Sequence, residues 1–264
     1  MTDANLHVKT TRHKGVAGVA LVTIDNPARL NCLGRSTINA LRAAFEALSD
    51  DQALRAVVLT GAGDRAFIGG ADLRELGACD ADGARLFITD LQRCCAAIRD
   101  CPVPVVARID GFCLGAGLEI AVSCDLRYAS ARSTFGMPEV HMGLPSVIEA
   151  ALLPRLIGWG RTCDLLYTGR TFEAPEALEM GLIEASVGAL ELDATVDAAV
   201  SAIVGAAPEA IRSQKRLMRR WERGSLEEGV LAGIHALSEA YVMGEPQARI
   251  AAFFEARRQK KAAP

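Results

Sequence analysis

Apolar positions along this chain follow two rhythms in turn. Residues 16–25 (VAGVALVTID) alternate apolar with small or polar side chains and are rich in branched residues, which predicts a strand ending at the turn Asn26-Pro27. Residues 54–60 (LRAVVLT) predict a second strand, residues 103–109 (VPVVARI) a buried third, and residues 125–129 (DLRYA) a short fourth. Between them, helical spacing runs over 36–48 with Ser36 as the expected cap, over 72–76 and over 84–98. From about Pro154 onward the signals are almost wholly helical, near 160–168, 174–180, 193–205, 208–222, 226–243 and 246–261. Strands alternating with helices over the first two-thirds predict an α/β fold with crossovers, followed by a helical extension.

One helix in this pattern is chemically out of place. Gly111-Phe112-Cys113-Leu114-Gly115-Ala116-Gly117-Leu118-Glu119-Ile120-Ala121-Val122 puts a glutamate in an apolar helix, just after a loop with three glycines in seven residues. An ionised carboxylate among apolar side chains is costly unless paired or neutralised, which makes Glu119 a candidate functional group. The plain alternative is a helix with one exposed glutamate, although Leu114 and Ile120-Ala121-Val122 leave it little polar face. Free N–H groups at the helix start, and the helix dipole, favour a developing oxyanion near Ala116. Pro138-Glu139 brings a second carboxylate twenty positions on (139 − 119). Met137, Val140 and Met142 offer Glu139 an apolar wall that would raise its readiness to donate a proton. An exposed loop glutamate is the alternative there, and His141 is a lesser candidate acid or base.

A second glycine turn, Phe67-Ile68-Gly69-Gly70-Ala71-Asp72-Leu73, reads as a strand-to-helix loop with Asp72 as the N-cap. Functionally it adds the N–H of Ala71 as a second donor, with Gly70 supplying the backbone freedom; two donors converging on one oxygen make an oxyanion hole. The overlapping Gly61-Ala62-Gly63-Asp64-Arg65-Ala66 also fits GxGxxA, a dinucleotide fingerprint that requires a helix to start inside the glycines. Lys215-Arg216-Leu217-Met218-Arg219-Arg220, like Arg257, Arg258, Lys260 and Lys261, is expected to be a solvated basic face, with a phosphate contact as the alternative.

Composition narrows the classes. The 264 residues suit one large domain or a domain with an appendage, and a net charge of −3 gives no global field to recruit nucleic acid or a membrane. Mean hydropathy is +0.19, which implies apolar surface covered by other subunits. Eight cysteines without CxxC pairs read as buried thiols of a cytoplasmic protein, and four scattered histidines indicate no metal site. Residues 1–14 are polar, unlike a signal peptide, and no uncharged run is long enough to span a membrane.

The blocks VALVTIDNPARLN, AVVLTGAGDRAFIGGADL, PVPVVARIDGFCLGAGLEIAVSCDLRYA, FGMPEVHMGL, LPRLIGWGRTCDLLYTGRTFEAPEALEMGLIE and AAFFEARR together resemble the crotonase superfamily, that of enoyl-CoA hydratases and isomerases. They run in the family's order over most of the chain. The resemblance implies a spiral of ββα turns over residues 1–200 and a helical trimerisation region over 201–264, in a homotrimer or a hexamer of two trimers. It puts the oxyanion donors on Ala71 and Ala116, flanked by Gly70 and Gly115, and the catalytic acids on Glu119 and Glu139. The adenine end of coenzyme A would lie near Arg29, Leu30 and Asn31, largely on backbone. The implied substrate is an acyl-CoA thioester, with no cofactor beyond the coenzyme A it carries. Glu119 would take a proton from water attacking C3 of a 2-enoyl thioester, and Glu139 would deliver one to C2. Other acyl-CoA reactions on the same oxyanion hole are the enzymatic alternative, and a CoA- or RNA-binding relative without activity is the other. After Gly143 the family usually runs Leu-Ile-Pro-Gly-Ala-Gly-Gly-Thr, where a backbone N–H helps to place the water. Here Leu144-Pro145-Ser146-Val147-Ile148-Glu149-Ala150 is one residue shorter and has no glycine. Glu149 is then either a helix-start charge or a third acid in the site.

Overall fold

A computed structural model describes residues 7–262, with side chains to residue 259. Met1 to Leu6 of the polar N-terminal segment and the side chains of Lys260 and Lys261 lie outside the described residues. The chain divides into two compact units, Met1–Ser201 and Ala202–Pro264.

The strands of the first unit are β1 (Val8–Arg12), β2 (Val19–Ile24), β3 (Ala56–Gly61), β4 (Ala66–Ile68), β5 (Val105–Ile109), β6 (Phe112–Leu114), β7 (Leu126–Ser130), β8 (Thr134–Gly136), β9 (Thr171–Glu173) and β10 (Ala185–Val187). They form a six-stranded sheet in the order β1-β2-β3-β5-β7-β10 and a four-stranded sheet in the order β4-β6-β8-β9. Only β1 in the larger sheet and β9 in the smaller pair antiparallel. Successive turns therefore lay one strand in each sheet: β3 then β4, β5 then β6, β7 then β8. Helices α1 (Arg35–Ser49), α2 (Leu73–Gly77), α3 (Ala81–Asp100) and α4 (Ala116–Ser123) fill the crossovers, which gives the spiral of ββα turns that the resemblance implies. All six residues of β3 are buried, as a parallel strand covered on both faces requires.

Several local expectations change. Ser36 does not cap α1: Gly34 does, and the Arg35 N–H donates to the Glu75 carboxylate at 2.9 Å, a cap supplied from α2 that local sequence cannot reveal. The stretch after Pro154 is not wholly helical, since β9 and β10 lie between α5 (Leu153–Ile157), α6 (Trp159–Thr168), α7 (Ala174–Met180) and α8 (Leu192–Gly205). Asp72 does cap α2, accepting from the Arg74 N–H at 3.0 Å. The glycines of residues 61–66 lead into strand β4 rather than a helix, so the dinucleotide reading loses the helix N-terminus on which a pyrophosphate would sit.

The second unit holds α9 (Pro208–Arg223), α10 (Leu226–Met243) and α11 (Glu245–Ala262). Ser225 and Glu228 form a reciprocal capping box at the start of α10. Trp221 Nε1 donates to the Gly229 carbonyl at 3.1 Å, and the Glu245 carboxylate accepts from the Ala210 N–H at 3.0 Å. The basic run on α9 is not a uniformly solvated face: Lys215 is buried and Arg219 pairs with Glu222 at 2.6 Å. Val230, Ile234 and Leu237 share one face of α10 by spacing and are exposed. Among the described residues no single helix is long and apolar enough to cross a membrane.

Candidate active site

Both glycine loops and both carboxylates meet at one cavity of about 760 Å³ inside the first unit. Ala71 reaches it because Leu33 grips the turn on either side. The Leu33 N–H donates to the Gly70 carbonyl and the Leu33 carbonyl accepts from the Asp72 N–H, each at 2.8 Å. Gly70 takes a φ of +123°, open to glycine and unfavourable for other residues. Ala116 is the first residue of α4, so its N–H has no partner within the helix. The helix start packs so closely on β4 that a Cβ at Gly117 would lie 2.3 Å from the Ile68 carbonyl oxygen, which brings the two loops together.

Glu119, one turn into α4, lines this cavity at 4 % exposure, and its Oε1 has no hydrogen-bond partner in the protein. Burial, above all, pushes its carboxyl up to about 9; the charge of Glu139 and, more weakly, that of Glu149 add to this, while the nearby Ala150 N–H, itself bonded to the Val147 carbonyl at 3.0 Å, opposes it. Glu139 opens the 3-10 turn Pro138–Met142 and is only half-buried; of the apolar wall expected around it Met137 is buried, while Val140 and Met142 are exposed. Its Oε1 lies over Gly115, where an added Cβ would be 2.5 Å away, and its Oε2 accepts from Ser146 Oγ at 2.9 Å. Gly115 itself sits at a φ of +51°, so both geometry and space exclude a side chain there.

Glu149 is placed as a helix-start charge rather than as a third acid lining the cavity. It lies in the first turn of the 3-10 helix Ile148–Leu152, is buried, and acts by its charge on Glu119 without lining the cavity. His141 is exposed and does not line the cavity, which removes it as an acid or base there.

Of the three residues expected at the coenzyme end, Arg29 and Leu30 line the cavity and Asn31 does not. Asn31 is fully buried: its Nδ2 donates to the Ala66 and Ala62 carbonyls at 2.7 and 3.0 Å, and its Oδ1 accepts from the Asn26 N–H at 2.9 Å. These bonds hold Leu30 and Asn31 in successive left-handed conformations, with φ of 54° and 55°. Asn31 thus shapes the rim without facing it. Arg29 is paired with Asp72 at 2.8 Å.

Sequence reasoning missed the apolar lining from α2 and α3 (Leu73, Leu76, Phe87, Ile88 and Leu91), because a cavity-facing apolar residue carries the same helical period as a core one. It also missed Arg65, Arg74 and Arg85, cations that line the cavity together with Arg29. Ser146 was missed too, although it falls in the segment already marked as unusual. All eight cysteines are free thiols; burial pushes Cys94, Cys95 and Cys113 well up, which keeps them protonated. No group of side chains among the described residues is arranged to hold a metal ion.

Chemically, the cavity brings together Ala71 and Ala116 from the two glycine loops, two carboxylates of which the Glu139 charge acts on Glu119, apolar walls and a set of arginines. Residues 14–261 match the family model described as enoyl-CoA hydratase/isomerase. The chain is 33 % identical over 241 residues to the short-chain-enoyl-CoA hydratase of Clostridium acetobutylicum, covering 91 % of this chain and 92 % of that protein. It is 31 % identical to the crotonyl-CoA hydratase of Syntrophomonas wolfei, covering 91 % and 93 %. The solved structure of an enoyl-CoA hydratase from Bacillus anthracis superposes with a TM-score of 0.90 at 27 % identity, covering 95 % of this chain and 96 % of that one.

Proposed function

Because the chain belongs to the enoyl-CoA hydratase/isomerase family, we propose that it adds water reversibly to a 2-enoyl-CoA thioester, giving the 3-hydroxyacyl-CoA. The observation that carries this reading is the convergence of Glu119 and Glu139 on the cavity that also receives Ala71 and Ala116. A thioester oxygen held by the two N–H groups gains negative charge as C3 is attacked, and preorganised donors stabilise that charge without reorganising.

Glu119 holds a proton in the resting site, and the neighbouring Glu139 charge helps to keep it there. A group that holds its proton up to about pH 9 is a competent acceptor once that proton has moved to its partner. In the reactive form Glu119 takes a proton from the water attacking C3, and Glu139 gives one to C2. Each turnover leaves the pair with its proton exchanged, and the return transfer resets it. Arg29, Arg65, Arg74 and Arg85 supply positive charge for the phosphates of coenzyme A, while Phe87 and Leu91 border the acyl chain. The exposed apolar face of α10, with Phe253 and Phe254 of α11, supports self-association into a trimer or hexamer, which sedimentation analysis would size.

Kinetics of E119Q and E139Q on 2-enoyl-CoA substrates test the assignment. Each should lower kcat by at least about 10². Near-normal turnover in E119Q would rule out hydration through that residue and favour isomerisation, which needs only one proton-carrying group.

A further inference from the structure

The segment that departs from the family's glycine-rich pattern bonds one of the two carboxylates and runs beside the other. Gly143 closes the 3-10 turn in a left-handed conformation, and Pro145 restricts the backbone leading into Ser146. Ser146 Oγ donates to Glu139 Oε2 at 2.9 Å, and among the described residues it is the one side chain that hydrogen-bonds this carboxylate. Two residues later Ile148 adopts a φ of 39°, a left-handed conformation that a β-branched residue avoids unless its surroundings impose it. Just beyond it, the Ala150 N–H, bonded to the Val147 carbonyl at 3.0 Å, lies near enough to Glu119 to favour its ionised form. One short stretch thus holds Glu139 by a side chain and sets a backbone N–H beside Glu119.

We propose that Ser146 is a positioning residue for acid/base chemistry at Glu139, fixing the carboxylate so that Oε1 rather than Oε2 exchanges the proton with substrate; this rests on the acyl-CoA reading above. The terminal torsion of a glutamate is broad and two-fold, so its two oxygens interchange unless one of them is held. Ser146 holds Oε2. Oε1 then lies over Gly115, beside the first residue of α4 and the Ala116 N–H. A charge-assisted bond of this kind sets direction as well as energy.

The test compares S146A, and the shape-matched pair S146T and S146V, with wild type and E139Q in the full-length protein. Two rates are read: hydration of a short 2-enoyl-CoA, and deuterium incorporation from D₂O into the acyl group, which proton transfer at Glu139 produces whether or not water is added. S146A and S146V should lose about 10- to 100-fold in kcat, the range for a bond to a charged group, with KM within about twofold. S146T should recover most of the loss, deuterium incorporation should fall in parallel, and melting temperatures should barely move. Wild-type kcat in S146A, equal rates in S146T and S146V, or a loss confined to KM would overturn the proposal. Exchange without hydration in wild type would overturn the hydratase reading alone and leave the exchange ratio to judge Ser146. Neither exchange nor hydration would overturn both.

Discussion

Replacing Glu119 with glutamine keeps the shape of the side chain and removes its titration, so it isolates what burying this acid does to the fold. The folded chain holds the Glu119 carboxyl at about 9, mainly by burial and then by the Glu139 charge, against an ordinary value of 4.5. Between those two values the folded state binds a proton that the unfolded state releases. Because the folded value is raised, the stability involved is fully present below about pH 4.5 and is lost progressively as pH climbs to about 9. At pH 7 the chain is 2.5 units above the ordinary value (7 − 4.5), a loss of about 3 kcal/mol at roughly 1.4 kcal/mol per unit; at pH 5 the loss is below about 1 kcal/mol. Glutamine has no such slope. Melting temperatures of E119Q and wild type, measured from pH 5 to pH 7 at fixed ionic strength, should therefore diverge, with the variant gaining about 5–10 °C relative to wild type. A pH-independent offset from the amide does not affect this comparison, because only the change in the gap counts. A gap that stayed constant with pH would show that Glu119 is not held neutral by the fold, and the account of its resting proton would fall with it.

Three further outcomes follow from the same geometry. Loss of the remaining proton from the pair should make kcat/KM for hydration fall above about pH 9, and a profile flat to pH 10 would contradict the raised Glu119. G115A places a Cβ 2.5 Å from Glu139 Oε1 at a left-handed φ, so kcat should fall at least about tenfold in a protein whose circular dichroism is unchanged. N31A removes the buried bonds to Asn26, Ala62 and Ala66, and urea unfolding should show a loss of about 2–4 kcal/mol, with any kinetic defect appearing in KM for the CoA thioester.

What could be read from the sequence followed the physical strength of each signal. Strands β2, β3, β5 and β7 are five or six residues long and largely buried, and the first three are rich in branched side chains, so their pattern was visible with the right order and nearly the right limits. The smaller sheet was not visible. β4, β6, β8 and β9 have three residues each, too few to show a period, and they are defined by the neighbours they pair with. β1 was missed because it is an edge strand with four of its five residues exposed, so no apolar alternation marks it. Glu119 stood out because a carboxylate is rare in an apolar helix, and Glu139 because of its spacing from it. The hydroxyl of Ser146 was hidden for a different reason: its role depends on how the loop folds back onto Glu139, seven residues earlier, which no local pattern announces.

The central claim is hydration at the Glu119–Glu139 pair, and mass spectrometry in H₂¹⁸O tests it most directly. Purified protein incubated with a panel of 2-enoyl- and 3-enoyl-CoA thioesters should add one labelled water to 2-enoyl substrates, and E119Q should add none. Conversion of 3-enoyl to 2-enoyl thioesters without any gain of label on the 2-enoyl panel would contradict the claim and make the enzyme an isomerase.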